Sequence, residues 1–354
     1  MRQGVYLLLL IGFLAACKKD DPETIQGPTP YTLEIPSLFA EKLIAPVFPA
    51  NNPLTEEGVA LGEKLFFDKR LSLDGNISCA SCHMPQQAFS DRRALSLGIR
   101  GQEGERNAMP IFNLAWNYDD RFNWDGKALS LEEQAFRPVT HPKEMGNNWI
   151  NVARTLQEDA EYPNLFERAF GIREIDSIVI TKALAQFERT LISAQAPFDQ
   201  FLLGQRNLTS RQENGLAVFM DEERGDCFHC HGNENNPLWT DNDFHNNGLD
   251  TDFADIGLGA VTGDPADNGK FRTPSLRNLT RSAPYMHDGR FQTLEEVVNH
   301  YSEGLKPSAT IDPLMKKVNQ GGVQLSPQDK ADLIAFLRSL SDPNFGQGIG
   351  PGVE

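Results

Sequence analysis

Apolar positions along this chain recur at helical spacing, and no stretch shows the strict alternation of a half-buried strand. EEGVALGEKLFF at 56–67 and RQENGLAVFM at 211–220 each predict an amphipathic helix. Further on, Ser130 and Thr293 each open an S/T-x-x-E pattern. That is a capping box, which satisfies the free backbone N–H groups at a helix start. The two boxes sit in blocks that align without a gap, WDGKALSLEE at 124–133 and HDGRFQTLEE at 287–296. Helix and block thus occur twice in the same order, so the pattern predicts a mostly α fold of two units related by internal duplication.

Between helix and block, each unit carries the same cluster: Cys79-Ala-Ser-Cys82-His83 and Cys227-Phe-His-Cys230-His231. Three chemistries use a CxxC pair. Zinc would need the pairs at ribbon spacing and leaves the histidines without a task. A thioredoxin-like redox pair would follow a strand, whereas the flanks here are helical. A covalent c-type haem uses every residue, because the cysteines bond the vinyl groups and the adjacent histidine is the proximal iron ligand. The expected architecture is therefore two c-type cytochrome domains, with His83 serving the first iron and His231 the second.

The aligned blocks also predict a difference between the two sites. Running on from the matched Asp-Gly pairs, Pro138 in the first unit meets Tyr301 in the second. Proline offers iron no donor atom, and a tyrosine phenolate does. If this position faces the distal side of each haem, the first is open to a small molecule and the second is closed by Tyr301. No histidine lies between His83 and His141, and His141, before Pro142 in a polar loop, is expected to be exposed.

Composition and charge narrow the partners. Of 354 residues 40% are hydrophobic and 23% charged, ordinary for a globular chain long enough for two domains. The net charge of −16 argues against nucleic acid and suits a basic protein partner. MRQGVYLLLLIGFLAAC at the start reads as a secretory signal, too short to span a bilayer comfortably. Its end, Leu14-Ala15-Ala16-Cys17, is similar to a bacterial lipobox; a plain signal peptide with a chance cysteine is the alternative. With Cys17 lipidated, all five cysteines are used and no disulfide is needed. The expected division is a signal peptide at 1–16, a lipid-anchored linker at 17–35, a first haem domain at 36–200 and a second at 201–345. The polar stretch 233–270, rich in Asn, Asp and Gly, suits surface turns and has no assigned role.

The motifs ISCASCH, RNAMP, FNWDGKALSLEEQAF, KEMG, CFHCH, FRTPSLRNL and APYMHDGRFQTLEEVV together resemble the bacterial di-haem cytochrome c peroxidase family, in particular its MauG-type branch. The resemblance implies a peroxidatic first haem whose distal pocket holds Gln134, Pro138 and Glu144, with Glu144 as acid–base residue. On its own, a glutamate in THPKEMGNN would read as a solvated loop carboxylate. The resemblance places Trp124 between the haems, where electron transfer and simple packing both explain a tryptophan. It puts an axial ligand at Tyr301, where classical members carry methionine; His300 and Met286 are fallback ligands. His287 is expected to meet a haem propionate or the domain interface. It further implies a calcium ion between the domains, held by the Asn107 side chain and the backbone carbonyls of Ser282 and Pro284; otherwise Asn107 caps a turn.

Two functions of different class follow. The first is a periplasmic enzyme reducing hydrogen peroxide with electrons from a small cytochrome or cupredoxin, or a MauG-type variant that uses peroxide to oxidise a protein or organic substrate. The second is a lipid-anchored di-haem electron carrier with both irons six-coordinate. Relatives of this kind often dimerise, so a homodimer is a further expectation.

Overall fold

The computed structural model describes residues 27–350; the signal run and Cys17 lie outside them. The main helices are α1 (Glu56–Phe66), α2 (Leu131–Thr140), α3 (Trp149–Gln157), α4 (Tyr162–Phe170), α5 (Ser177–Arg189), α6 (Ser210–Met220), α7 (Leu294–Asn299) and α8 (Pro327–Ser339). Among the described residues the one sheet is a pair of two-residue strands, β1 (Phe244–His245) and β2 (Phe271–Arg272), antiparallel. Both amphipathic stretches are helical, as α1 and α6. Side chains of Thr55, Ser130, Asp176, Thr209 and Ser326 accept from backbone N–H groups at five helix starts. The two capping boxes start helices at matching residues, Leu131 and Leu294. Only the second closes fully: Glu296 bonds the Thr293 N–H, whereas Glu133 reaches past Ser130 to the Leu129 N–H.

The duplication is visible in the packing. In the first half α1 lies on α5, and in the second α6 lies on α8. A glycine sits at each crossing. A Cβ on Gly62 would stand 2.0 Å from the Ala183 carbonyl oxygen, and one on Gly215 would stand 2.0 Å from that of Asp332. No side chain survives such an approach, so both helix pairs pack backbone to backbone. The next residues repeat as well, since Phe187 and Phe336 supply the second contact at each glycine. Corresponding turns also share an unusual backbone: Asn123 and Met286 both take positive φ, 69° and 73°.

The halves meet through reciprocal bonds. The Asn107 N–H donates to the His287 carbonyl at 2.7 Å, and the Arg272 N–H donates to the Trp124 carbonyl at 2.9 Å. Trp124 and His287 open the two aligned blocks. Each half has its own apolar core, one built on α1 to α5 and the other on α6 to α8. A third cluster, with Phe39, Trp116 and Leu238, seals the seam between them. Beneath it lies a buried ion pair, Arg277 with Asp199, at 0% and 1% side-chain exposure. The chain end crosses back, and Phe345 packs between Phe89 and Phe112 of the first core, 5.5 Å from each ring centre.

Candidate di-haem site

In the second half, the short helix Phe228–His231 follows α6 and presents Cys230 and His231 to a largely apolar cavity also lined by Cys227, Met286, Val298 and Tyr301. Burial pushes the free Cys227 thiol up to about 12. Burial also pushes His231 down to about 4, so its imidazole is neutral, as an iron ligand must be. Its Nδ1 is buried without a partner. An apolar hollow lined by two cysteines, a neutral histidine and a phenol fits a covalent haem.

Tyr301 enters this cavity from a short π-helical turn, His300–Gly304, that continues α7. Such turns re-aim one residue of an otherwise regular helix. Burial pushes the Tyr301 phenol up to about 12, while a hydrogen bond from Asn247 at 3.0 Å acts to lower it. Cys230, Asp241 and His245 also come together closely enough to hold a metal ion. His245, however, already bonds Asp241 at 2.9 Å and Asp312 at 2.6 Å. The bond to Asp241 first, then contact with Cys230 and the bond to Asp312, push the imidazole up to about 11, against the neutral form that a metal ligand needs.

The first site uses the same local structure. Cys79–Cys82 is a short helix capped by Ser78, and the His83 N–H bonds the Cys79 carbonyl. The His83 Nδ1 meets the Phe89 carbonyl at 3.0 Å, and burial lowers its pKa. This leaves a neutral ring whose other nitrogen is free for iron, with the orientation fixed by a carbonyl behind it. Burial pushes the free Cys82 thiol up to about 11. The first site therefore carries the same two cysteines and oriented neutral histidine that attach and ligate a haem.

The structure brings Glu144 and Pro138 together beside this site. Met145 N–H bonds the Pro138 carbonyl at 3.1 Å, and the Glu144 charge acts on Cys82. Gln134 stands one turn before Pro138 on α2, half-buried. Glu144 keeps 45% of its side chain accessible, yet protein packs densely enough around it that desolvation raises its pKa. His141 corrects the sequence expectation: it is half-buried, with an unpartnered Nδ1 3.5 Å from Glu144. The turn at 141–146 folds back on α2 through three backbone bonds, which the polar composition of the loop concealed.

Trp124 is buried at the seam, donating from Nε1 to the Asn107 carbonyl at 2.8 Å, and it reaches the second cavity. Asn107, Ser282 and Pro284 line that cavity too, and the Asn107 amide donates to the Arg93 and Ala94 carbonyls. His287 lies at the seam, stacked on Phe271 with ring centres 3.7 Å apart. Met286 lines the second cavity and His300 is buried next to it, bonded to the Asn247 carbonyl.

The stretch 233–270 is not a string of surface turns. It contains β1, buries Trp239 and Asn246, and docks on the first half through Arg106, which grips Asp255. Its asparagines fasten backbone inside the protein, a use that composition does not distinguish from an exposed turn. Arg272 likewise carries no signal in the sequence. It is buried, with no carboxylate partner among the described residues, and burial pushes it down to about 10. A cation in that position suits a haem propionate.

Duplicated CxxCH sites on a helical scaffold define a di-haem cytochrome, and the chain belongs to the di-haem cytochrome c peroxidase family. The family model of that description matches residues 56–207. The methylamine utilization protein MauG of Methylophilus methylotrophus is 39% identical over 295 residues, 82% of this chain and 84% of that protein. Cytochrome c551 peroxidase of Nitrosomonas europaea is 33% identical over 319 residues, 87% and 86%. A solved structure of a MauG-like protein associated with microbial copper homeostasis superposes with a TM-score of 0.79 at 34% identity, covering 89% of this chain and 97% of that one.

Proposed function

We propose that this protein reduces hydrogen peroxide to water at the first haem, drawing electrons through the second. Bound haem would supply the redox-active iron at which peroxide is reduced. The overall step takes two protons and two electrons and yields two waters. Glu144 takes the proton from the near peroxide oxygen and returns it to the far one, so that water is the leaving group. Gln134 and Pro138, on the helix that packs against the Glu144 turn, would belong to the same distal side. Pro138 keeps the distal side free of a protein donor. Trp124, bonded to the seam on both sides, is the contact between the two haems.

The observation that carries this reading is the asymmetry at one aligned position. Tyr301 stands inside the second cavity, whereas the matching residue of the first half is Pro138. Electrons would come from a small cytochrome or cupredoxin, for which the acidic surface suits a basic face. The phenol at Tyr301 also supports the MauG-type alternative, oxidation of a protein or organic substrate, because a hard oxygen favours ferric and higher states. A calcium ion held by the Asn107 side chain oxygen and the Ser282 and Pro284 carbonyls would lock the seam. Export to the periplasm, lipidation at Cys17 and dimerisation belong to the same proposal. The first two rest on the leader sequence alone.

Ferric EPR and visible spectra test the assignment. The expected result is one high-spin and one low-spin haem, with the high-spin signal lost on adding one equivalent of peroxide. Two low-spin haems that ignore peroxide would instead make the protein an electron carrier.

A further inference from the structure

The segment 245–248 has no part in the chemistry above, yet it is among the most firmly held backbone near the second cavity. The Asn246 side chain donates to Ser308 and Thr310 at 2.9 and 3.0 Å and accepts from the Gly248 N–H. The Asn246 carbonyl accepts from Asp312 N–H, the Gly248 carbonyl from Lys306 N–H, and the Asn247 carbonyl from His300 Nε2. Flanked by these ties, Asn247 extends its side chain into the cavity. Its single amide nitrogen donates to two atoms there, the Tyr301 Oη at 3.0 Å and the Met286 Sδ at 3.6 Å.

These are two candidate iron donors of opposite character. A phenolate oxygen is hard and favours ferric iron, while a thioether is soft and raises the potential of a c-type haem. Met286 is held in the left-handed region at φ 73°, an unfavourable backbone for any residue with a side chain. Its carbonyl accepts the Gly289 N–H at 3.1 Å, which ties this backbone into the turn and leaves the side chain to move. An amide hydrogen aimed at a coordinating oxygen orients it and stabilises its negative charge. The other hydrogen of the same amide occupies a lone pair of the sulfur.

Resting on the assignment of Tyr301 to the second iron, we propose that Asn247 is a positioning residue that selects oxygen over sulfur as the sixth donor of that haem. On this reading, the polar stretch 233–270 serves to deliver one amide to the ligand. Met286 becomes the reserve donor, used when the amide is gone.

The test uses the ferric holoprotein. Asn247→Leu cannot donate, and its ratio of sulfur- to oxygen-ligated second haem should rise about tenfold or more, the weight of a hydrogen bond to a charged acceptor. The rise is read as a near-infrared ferric–thioether absorption, with an upward shift of the second-haem potential and the first-haem high-spin signal unchanged. Adding Met286→Leu should abolish the new absorption. Should Asn247→Leu fail to fold, Asn247→Asp, of the same shape but without a donor, gives the same readout. A wild-type spectrum and potential in the variant that folds overturns the proposal. Tyr301→Phe separates this from the parent reading: if its second-haem spectrum is unchanged, Tyr301 is not the ligand at all. A changed Tyr301→Phe spectrum beside an unchanged Asn247 variant sinks only the role of Asn247.

Discussion

Glu144→Gln should lower peroxide turnover by about 10²–10⁴-fold while leaving both haems attached. Glutamine keeps the shape and polarity of the side chain but cannot take up and return a proton at neutral pH. The proposed acid–base role rests on a carboxyl near Cys82, next to the His141 ring and within a turn bonded to Pro138. The pH profile gives a second readout. Glu144 must be ionised to accept the peroxide proton, and desolvation raises its pKa above the ordinary 4.5. Turnover should therefore fall as pH drops, with its acid limb above the ordinary glutamate value, and that limb should vanish in Glu144→Gln. Steady-state peroxide assays across pH decide it; a wild-type rate in the variant removes Glu144 from the mechanism.

The second large effect concerns stability. Asp199→Ala should cost about 3–5 kcal/mol, measured by chemical denaturation. The Asp199 carboxylate takes a forked pair of bonds from Arg277, and it accepts the Ala196 N–H at 2.7 Å. Arg277 is fully buried beneath the Phe39 ring, and its remaining bond is to the Pro237 carbonyl at 2.6 Å. Removing the carboxylate strands a guanidinium where water cannot reach it. Removing both charges together, as Asp199→Leu with Arg277→Met, should recover much of the loss, because an apolar pair needs no desolvation. A single-variant loss below about 1 kcal/mol would mean that water or another group reaches Arg277, against its burial.

Much of this protein is legible as a string. The helices α1, α6, α2 and α7 announce themselves by amphipathic spacing and caps, and CxxCH carries its chemistry in five residues. The ungapped match of Pro138 with Tyr301 needs only counting. What stays hidden depends on contacts between distant segments. Asn247 looks like any asparagine in a polar stretch until the fold sets it 3.0 Å from Tyr301. Glu188 is ordinary within an amphipathic helix, yet burial pushes it up to about 8. Pairing partners across 50 or more residues leave no local periodicity to detect.

The return of the last residues to the first core sets an order of assembly. Phe345 fills a gap between Phe89 and Phe112, its carbonyl is gripped by Arg281 at 2.6 Å, and that guanidinium also holds Pro85, two residues past His83. The earlier motif therefore cannot be fully enclosed until the final segment has been synthesised and has crossed the molecule. A chain stopped after Ser341 should keep its second haem and hold the first pocket loose, seen as faster proteolysis near residues 84–112. Equal resistance there in the shortened and full chains would show that the clasp is dispensable.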